Sequence, residues 1–233
     1  MRIVGLTGGV ATGKSTVSKV LKQHGIRVID CDQLARKVLS SQSILYRPFR
    51  TRVANIFPSA IKSDGSLDRA EIAHIVFHDP TRRKQLNRAT HPFVAIMLLG
   101  ELIRAYLSLE PVITVEMALL FEVQLHRMCT EVVVCDAGGE DVQIRRVMAR
   151  DHTSEEAAAA KVHSQMPSSE KVKRATTVIS TGNDSSNMSL DESVSSVAAR
   201  TRRYRLVDVL LSPPVVLISV ALAVRQMIVG KHM

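Results

Sequence analysis

The chain has 233 residues, 45% of them apolar, which is enough for one well-buried core with appendages. Its formal net charge of +9 suits an anionic partner such as a nucleotide or a lipid surface. Only 3% of the residues are aromatic and none is Trp, which argues against nucleic-acid binding by base stacking. The three cysteines have neither metal-type nor disulfide-type spacing, so they favour a reducing, intracellular compartment. We therefore expect an intracellular protein whose anionic partner is not a nucleic acid.

The first predicted element is a strand over Ile3–Thr7, with no cleavable presequence before it. It leads directly into GGVATGKS at Gly8–Ser15, which fits the P-loop pattern G-x-x-x-x-G-K-[ST]. Backbone N–H groups of such a loop converge on phosphate oxygens, and the next helix points its positive end at the same anion. The alternative is a glycine turn that only caps a helix. The predicted nucleotide-binding residues are Gly8, Gly9, Ala11, Thr12, Gly13, Lys14, Ser15 and Thr16, with Lys14 on the β- and γ-phosphates and Ser15 on Mg²⁺.

Periodicity predicts a helix over Lys14–His24 and a strand over Arg27–Asp30. Parallel strands of a βαβ unit end at the same edge of the sheet, so Asp30 and Asp32 should lie near the P-loop. A carboxylate there can orient an acceptor hydroxyl and accept its proton. Alternatively, Asp32 merely N-caps a helix that begins at Gln33.

Helical patterns dominate from Gln33 to Leu109, which predicts a helical insertion on the substrate side of the protein, at about residues 44–109. Pro92 predicts a kink or a break within it. The adjacent His91 is either structural or in contact with a ligand.

Continuous β-branched runs predict further buried, parallel strands at Val112–Glu116, Val132–Asp136 and Thr177–Ile179. Helices are predicted over Asp141–Arg150 and over Ser154–Gln165, the second opening with a capping signature. Strands that alternate with helices indicate an α/β fold with a parallel sheet flanked by helices.

Arg146 and Arg150 are four residues apart and lie on one helix face. Such a face can close over a triphosphate as a lid, at about residues 139–166, or it can simply be a solvated basic face. Glu116 and Glu122 bracket the end of a strand and can either contact Mg²⁺ through water or accept hydrogen bonds from loop amides.

The C-terminal part is unusual because Leu206–Val224 is a 19-residue stretch in which Asp208 alone is charged. Its length is just enough to span a bilayer, and the upstream basic cluster at Arg200–Arg205 would attract anionic lipid. The alternative is a terminal helix packed on the protein and interrupted at Pro213 and Pro214. We expect a catalytic domain at residues 1–205 that faces the cytoplasm, and an apolar tail at 206–233 that either attaches it to an organelle membrane or packs on the protein.

Segments spread over residues 1–184 resemble the dephospho-CoA kinase family in content and in order. They are LTGGVATGKSTV at Leu6–Val17, VIDCDQLAR at Val28–Arg36, GSLDRAEIAHIVF at Gly65–Phe77, LNRATHP at Leu86–Pro92, EMALLFE at Glu116–Glu122 and QIRRVMARD at Gln143–Asp151. The chain departs from the family in having Met117 in place of a proline, in its Ile179–Asn183 loop, and in its apolar tail, which is similar to that of some eukaryotic members.

The resemblance implies a P-loop α/β core with a helical substrate domain and a lid, similar to nucleoside monophosphate kinases. It implies transfer of the ATP γ-phosphoryl group to the ribose 3′-hydroxyl of dephospho-CoA, with ATP and Mg²⁺ as cofactors. Asp32 would be the acid beside the acceptor hydroxyl, Arg69 and His91 would contact the substrate, and Arg146 and Arg150 would be lid arginines. The alternatives are another small-molecule P-loop kinase, acting on a nucleoside monophosphate or a polyol, and a membrane-attached nucleotide-binding scaffold.

Overall fold

The computed structural model describes residues 1–40, 47–182 and 190–202 of the chain. The predicted apolar tail Leu206–Val224 and its basic flank beyond Arg202 lie outside the described residues, as does Asn183 of the Ile179–Asn183 loop. Within the described part, no helix is both long enough and apolar enough to cross a membrane.

The centre of the protein is a five-stranded parallel sheet with the strand order β2-β3-β1-β4-β5. The strands are β1 (Arg2–Gly8), β2 (Arg27–Asp30), β3 (Val112–Glu116), β4 (Glu131–Asp136) and β5 (Thr177–Ser180). These bounds agree with the sequence-based strands to within a residue or two, because β-branched runs that are buried on both faces have an unambiguous pattern. Leu6, two residues before the end of β1, and Asp30, the last residue of β2, are both in register with Glu116 of β3. The ends of β1 and β2 therefore lie two strand spacings apart, about 10 Å, at one edge.

Nine α-helices lie within the described residues, and short 3₁₀ turns occur at Pro58–Ala60 and Leu125–Met128. The helices are α1 (Lys14–Gln23), α2 (Cys31–Ser40), α3 (Arg47–Ile56), α4 (Arg69–His78), α5 (Pro80–Leu107), α6 (Glu140–Asp151), α7 (Glu155–His163), α8 (Ser168–Lys173) and α9 (Leu190–Arg202). The predicted cap of α7 is confirmed, since the Ser154 hydroxyl accepts a hydrogen bond from the Ala157 N–H.

The chain divides into two compact units. The first contains Met1–Asp30 and the described residues from Arg104 onward, and its core includes α1 and α9 against the sheet, through residues such as Leu6 and Val194. Cys135 belongs to this core, and burial raises the pKa of the Cys129 and Cys135 thiols to about 12.

The second unit consists of the described residues of Cys31–Ile103 and is helical. Phe49 of α3 packs edge-to-face on Phe93 of α5, with ring centroids 5.1 Å apart. Phe49, Val53 and Phe57 are at most 1% exposed, so α3 is firmly packed on one face.

Two features that the sequence left open in this helical unit, an N-cap at Asp32 and a break at Pro92, are not found. Asp32 is not an N-cap, because α2 begins at Cys31 and places Asp32 within the first turn. The burial of Cys31 and Leu34, three residues apart, draws this turn into the helix. Pro92 does not break α5, which continues from Pro80 to Leu107. Buried neighbours on both sides, such as Ala89 and Val94, pack both halves of the helix and offset the lost hydrogen bond.

Candidate active site

The P-loop connects β1 to α1, and its lysine side chain binds back to the backbone of the loop. The Lys14 ammonium donates hydrogen bonds to the carbonyl oxygens of Gly8 (3.0 Å) and Gly9 (2.7 Å). The buried Thr12 hydroxyl donates to the Gly9 carbonyl at 2.9 Å. The ammonium therefore lies beside the loop backbone, where it can also bind a β- or γ-phosphate.

Two glycines are required by the loop geometry. Gly13 has φ of +78° at the start of α1, a left-handed conformation that side chains disfavour. Gly9 is crowded, since a Cβ there would collide with the side-chain oxygen of Gln143 and lie 2.9 Å from the Ser168 hydroxyl. Gly9 is therefore covered by these two side chains, which leave no room for a side chain of its own.

Arg146 of α6 connects the P-loop to the loop that follows β5. Its guanidinium donates to the carbonyl of Thr181 at 2.7 Å and to that of Ala11 at 3.4 Å. The Thr181 hydroxyl lies 2.7 Å from the Thr12 carbonyl and 2.9 Å from that of Asp136. Since a guanidinium has five N–H donors, Arg146 retains donors for an anion while it fixes the two loops.

Two cavities adjoin these loops within the first unit. One of 560 Å³ is bordered by Gly9, by the N-terminal end of α6 at Gly139 and Gln143, and by the segment around Gln165 and Ser168. The other, of 510 Å³, lies between α6 and the end of β5 and is lined by Val142, Arg145, Arg146, Ala149 and Gly182, among others. Both volumes are in the range of small-molecule sites.

The first cavity has polar side chains that the sequence analysis missed. Gln143 is 2% exposed and donates to the Ser168 hydroxyl at 2.8 Å. The side-chain oxygen of Gln165 is buried and has no hydrogen-bond partner among the described residues. Gln165 also lines this cavity, and its oxygen departs from the rule that buried polar atoms are normally paired. The sequence did not indicate that Gln143 and Gln165 are buried, because amide side chains are common on the solvent-exposed faces of helices.

A buried ion pair connects the end of β3 to α8, and the sequence analysis missed its lysine. Lys171 is fully buried, and its ammonium contacts Glu122 Oε1 at 3.1 Å and the Ala118 carbonyl at 2.7 Å. Glu122 also accepts a hydrogen bond from the Met166 N–H at 3.0 Å. Of the two interpretations left open for Glu122, the structure therefore supports the one in which it binds loop amides.

Replacing Lys171 with methionine should lower the free energy of unfolding by about 2 kcal/mol, because the Glu122 carboxylate and the Ala118 carbonyl then lose a common partner. The figure takes into account that the Glu122 side chain is 25% exposed. Urea unfolding of the full chain measures the change. Lys173→Met is the matched control, since the Lys173–Glu170 pair is exposed and should contribute little. Equal stability of both variants would show that the buried pair is dispensable.

Arg150, the second predicted lid arginine, lies against Asp151. Its guanidinium makes two hydrogen bonds to that carboxylate, at 2.7 and 3.1 Å, and Lys161 makes a third at 2.9 Å. Arg150 and Lys161 hold the pKa of Asp151 well below its usual range. The structure thus pairs Arg150 within the lid region, and its contact with ATP stays a prediction.

The remaining predicted residues are placed as follows. Ser15 and Thr16 are exposed at the start of α1, directly after the loop, and a hydroxyl there is an oxygen ligand of the kind that Mg²⁺ accepts beside nucleotide phosphates. Asp32 is exposed in the first turn of α2. Arg69 begins α4, and its side chain is outside the described ones. His91 is partly buried in α5, and burial lowers its pKa.

Comparisons with known proteins give one family. The dephospho-CoA kinase family model matches residues 2–188. A dephospho-CoA kinase of Geobacillus kaustophilus is 39% identical over 176 residues, 76% of this chain and 86% of that protein. One of Arabidopsis thaliana is 38% identical over 192 residues, 82% of this chain and 79% of that protein. The crystal structure of a Thermus thermophilus protein, 34% identical, covers 87% of this chain and 97% of its own with a TM-score of 0.67.

These findings confirm the predicted fold class, a parallel sheet flanked by helices with a P-loop. They do not favour the two alternatives left open by the sequence, another small-molecule P-loop kinase and a nucleotide-binding scaffold. The matched region contains the P-loop, Asp32 and Arg146. This chain belongs to the dephospho-CoA kinase family.

Proposed function

We propose that this chain transfers the γ-phosphoryl group of ATP to the ribose 3′-hydroxyl of dephospho-CoA, which yields coenzyme A and ADP. The observation that carries the proposal is the set of contacts in the P-loop. Lys14 binds the Gly8 and Gly9 carbonyls, and Arg146 connects the loop to Thr181. The loop stands in a chain whose family matches over residues 2–188.

The nucleotide side of the site follows from the contacts around the P-loop. We place the phosphates at the loop and the N-terminus of α1, where Lys14 and the backbone N–H groups neutralise their charge. The 510 Å³ cavity beside Arg146 would take the nucleoside, because Val142 and Ala149 offer it an apolar surface. The 560 Å³ cavity borders Gly9 and the lid region, and its buried amides would exclude bulk water from the γ-phosphate.

The acceptor side is proposed to depend on Asp32. The residue follows β2 by two positions, and β2 ends at the same edge of the sheet as the P-loop strand. In the proposed step the 3′-oxygen bonds to the γ-phosphorus while the bond to the β–γ bridging oxygen breaks. The proton of the hydroxyl passes to the Asp32 carboxylate, and ADP leaves. Arg69 and His91 are proposed to contact dephospho-CoA.

Magnesium fits the residues that are present. The Ser15 hydroxyl and the nucleotide phosphates form the hard oxygen set that this ion prefers. When bound, Mg²⁺ supplies charge neutralisation on the β- and γ-phosphates. Lys14 and Arg146 add the positive charge that this chain itself provides.

The test is turnover of the purified full chain with Mg-ATP and a panel of acceptors: dephospho-CoA, nucleoside monophosphates and polyols. ADP release that depends on dephospho-CoA, together with formation of coenzyme A, is expected. Release of ADP with another acceptor alone would replace the proposal with the small-molecule kinase alternative. Nucleotide binding without any turnover would favour a scaffold.

Replacing Arg146 with lysine should lower kcat by about thirtyfold, because an ammonium cannot bind two carbonyl groups and a phosphate in the planar arrangement of a guanidinium. Steady-state kinetics with ATP and dephospho-CoA measures the change. Arg174→Lys, an exposed arginine after α8, is the matched control and should leave kcat unaltered. A kcat for Arg146→Lys equal to that of the control would remove Arg146 from the catalytic residues.

We also propose that the apolar tail attaches the protein to an intracellular membrane. Support comes from the sequence: 19 residues with one charge follow the arginine-rich segment Arg200–Arg205. The full chain should sediment with vesicles that contain anionic lipid, whereas the variant Leu217→Asp with Val220→Asp should stay in the supernatant, because each buried charge in a bilayer is costly. Sedimentation of both chains, or of neither, would favour a tail that packs on the protein.

A further inference from the structure

Within the helical unit, the described residues form a further cavity, and three arginines line it. It has a volume of 430 Å³ and lies between α3 and the N-terminal part of α5. Its lining residues are Arg52, Asn55, Ile56, Arg82, Gln85, Arg88 and Ala89. Three guanidinium groups and two amides thus border one space, and none of the lining side chains is acidic.

The charge is concentrated there by the sequence of two helices. Arg47–Ile56 contains three arginines and no acidic residue. Thr81–Arg88 contains four cations, and no Asp or Glu occurs from Pro80 to Gly100. A helix face exposed to solvent usually carries charges of both signs, because neighbouring charges of the same sign repel each other. The repulsion here would be relieved by an anion between the helices.

The cavity has a defined frame. The Arg82 guanidinium donates to the Ile56 carbonyl at the end of α3, with a distance of 2.7 Å. Phe49 and Phe93 join the same two helices through their rings. Ala89, 2% exposed, forms the buried base of the α5 side. Arg82 therefore has a structural partner, whereas Arg52 and Arg88 border the cavity as exposed guanidinium groups.

We propose that this cavity is a binding site for a phosphate-bearing anion, of the size of a diphosphate. Guanidinium groups bind phosphate oxygens in pairs, and the Asn55 and Gln85 amides can donate further hydrogen bonds. The volume is within the range of small-ligand sites. The anion has two possible sources: the diphosphate of dephospho-CoA, or a separate phosphate compound. The existence of the site is independent of the proposed function, and only the first source rests on it.

The direct test is calorimetric titration of inorganic pyrophosphate into the full chain. The P-loop is first saturated with Mg²⁺ and a non-hydrolysable ATP analogue, so that it cannot bind the probe. Binding should be measurable, and Arg52→Gln and Arg88→Gln should each weaken it by about tenfold or more. Lys84→Gln is the matched control, because it removes a charge from the same helix but does not line the cavity. Circular dichroism checks that each variant is folded.

The source is identified by steady-state kinetics of the same variants. If both arginine variants raise KM for dephospho-CoA by about tenfold while KM for ATP is unchanged, the site binds the substrate diphosphate. If pyrophosphate binding is lost while both KM values stay constant, the site binds a separate anion. The proposal is overturned if the unmutated chain does not bind pyrophosphate, or if the arginine variants bind it as well as Lys84→Gln does. Neither overturning result would affect the turnover test of the proposed function.

Discussion

Replacing Lys14 with alanine is expected to lower kcat by about a thousandfold, which corresponds to roughly 4 kcal/mol of transition-state stabilisation. The Lys14 ammonium lies over the Gly8 and Gly9 carbonyls, at the proposed phosphate site. Negative charge on the oxygen that bridges the β- and γ-phosphorus atoms grows as its bond to the γ-phosphorus breaks. A cation at this point therefore binds the transition state more tightly than the ground state. Single-turnover kinetics with saturating Mg-ATP and dephospho-CoA measures the chemical step.

Lys19→Ala provides the matched control for this experiment. Lys19 is an exposed lysine of α1, one turn further from the loop, and its removal should leave kcat unaltered. The Lys14 variant should also keep its fold, since the ammonium binds carbonyls of the loop and is not part of the core. If the Lys14 and Lys19 variants have similar rates, the loop binds phosphate without contributing to its transfer.

Asp32→Asn is expected to lower kcat by between about a hundredfold and ten-thousandfold, the usual contribution of a general base. The dissociation constant for ATP should stay within about twofold, because the amide has the shape of the carboxylate and the residue is proposed to act on the acceptor. The change is measured with steady-state kinetics and, separately, by equilibrium binding of ATP.

If Asp32 only stabilises its helix, the structure indicates that its contribution to the free energy of folding is small. The residue is exposed in the first turn of α2, where a carboxylate stabilises the helix dipole by at most about 1 kcal/mol. A large loss of turnover with little loss of stability would therefore identify a catalytic role. Asp64→Asn, in an exposed turn of the same unit, is the control. Unchanged turnover of Asp32→Asn would return the residue to helix stabilisation.

Much of the fold was predictable because the relevant signals are local. The five strands are runs of β-branched residues, and the P-loop is a contiguous motif whose glycines are needed for its backbone. The continuity of α5 at Pro92 and the start of α2 near Asp32 were harder to predict, since both depend on how neighbouring residues are buried. Propensity places a break at a proline, and packing of Ala89 and Val94 overrides it.

The predicted site residues differ in the contacts that they make in the structure. Lys14 and Arg146 contact carbonyl groups of the P-loop, and their contact with phosphate stays a prediction. Arg150 instead binds Asp151, its neighbour in the chain. The buried amides and Lys171 were not identified, because a single polar residue in a helix has the same sequence pattern whether it faces solvent or a cavity.

By itself, the sequence determined the class of chemistry, since a P-loop after a buried strand and a carboxylate after the next strand are local patterns with a direct physical meaning. It also determined the family, through motifs spread over most of the chain. Only the tertiary structure decided the strand order, in which β3 lies between β1 and β2. It alone joined Arg146 to Thr181 and grouped the arginines of α3 and α5 around one cavity. Such contacts join residues 26 or more positions apart, and periodicity carries no information about which distant faces meet.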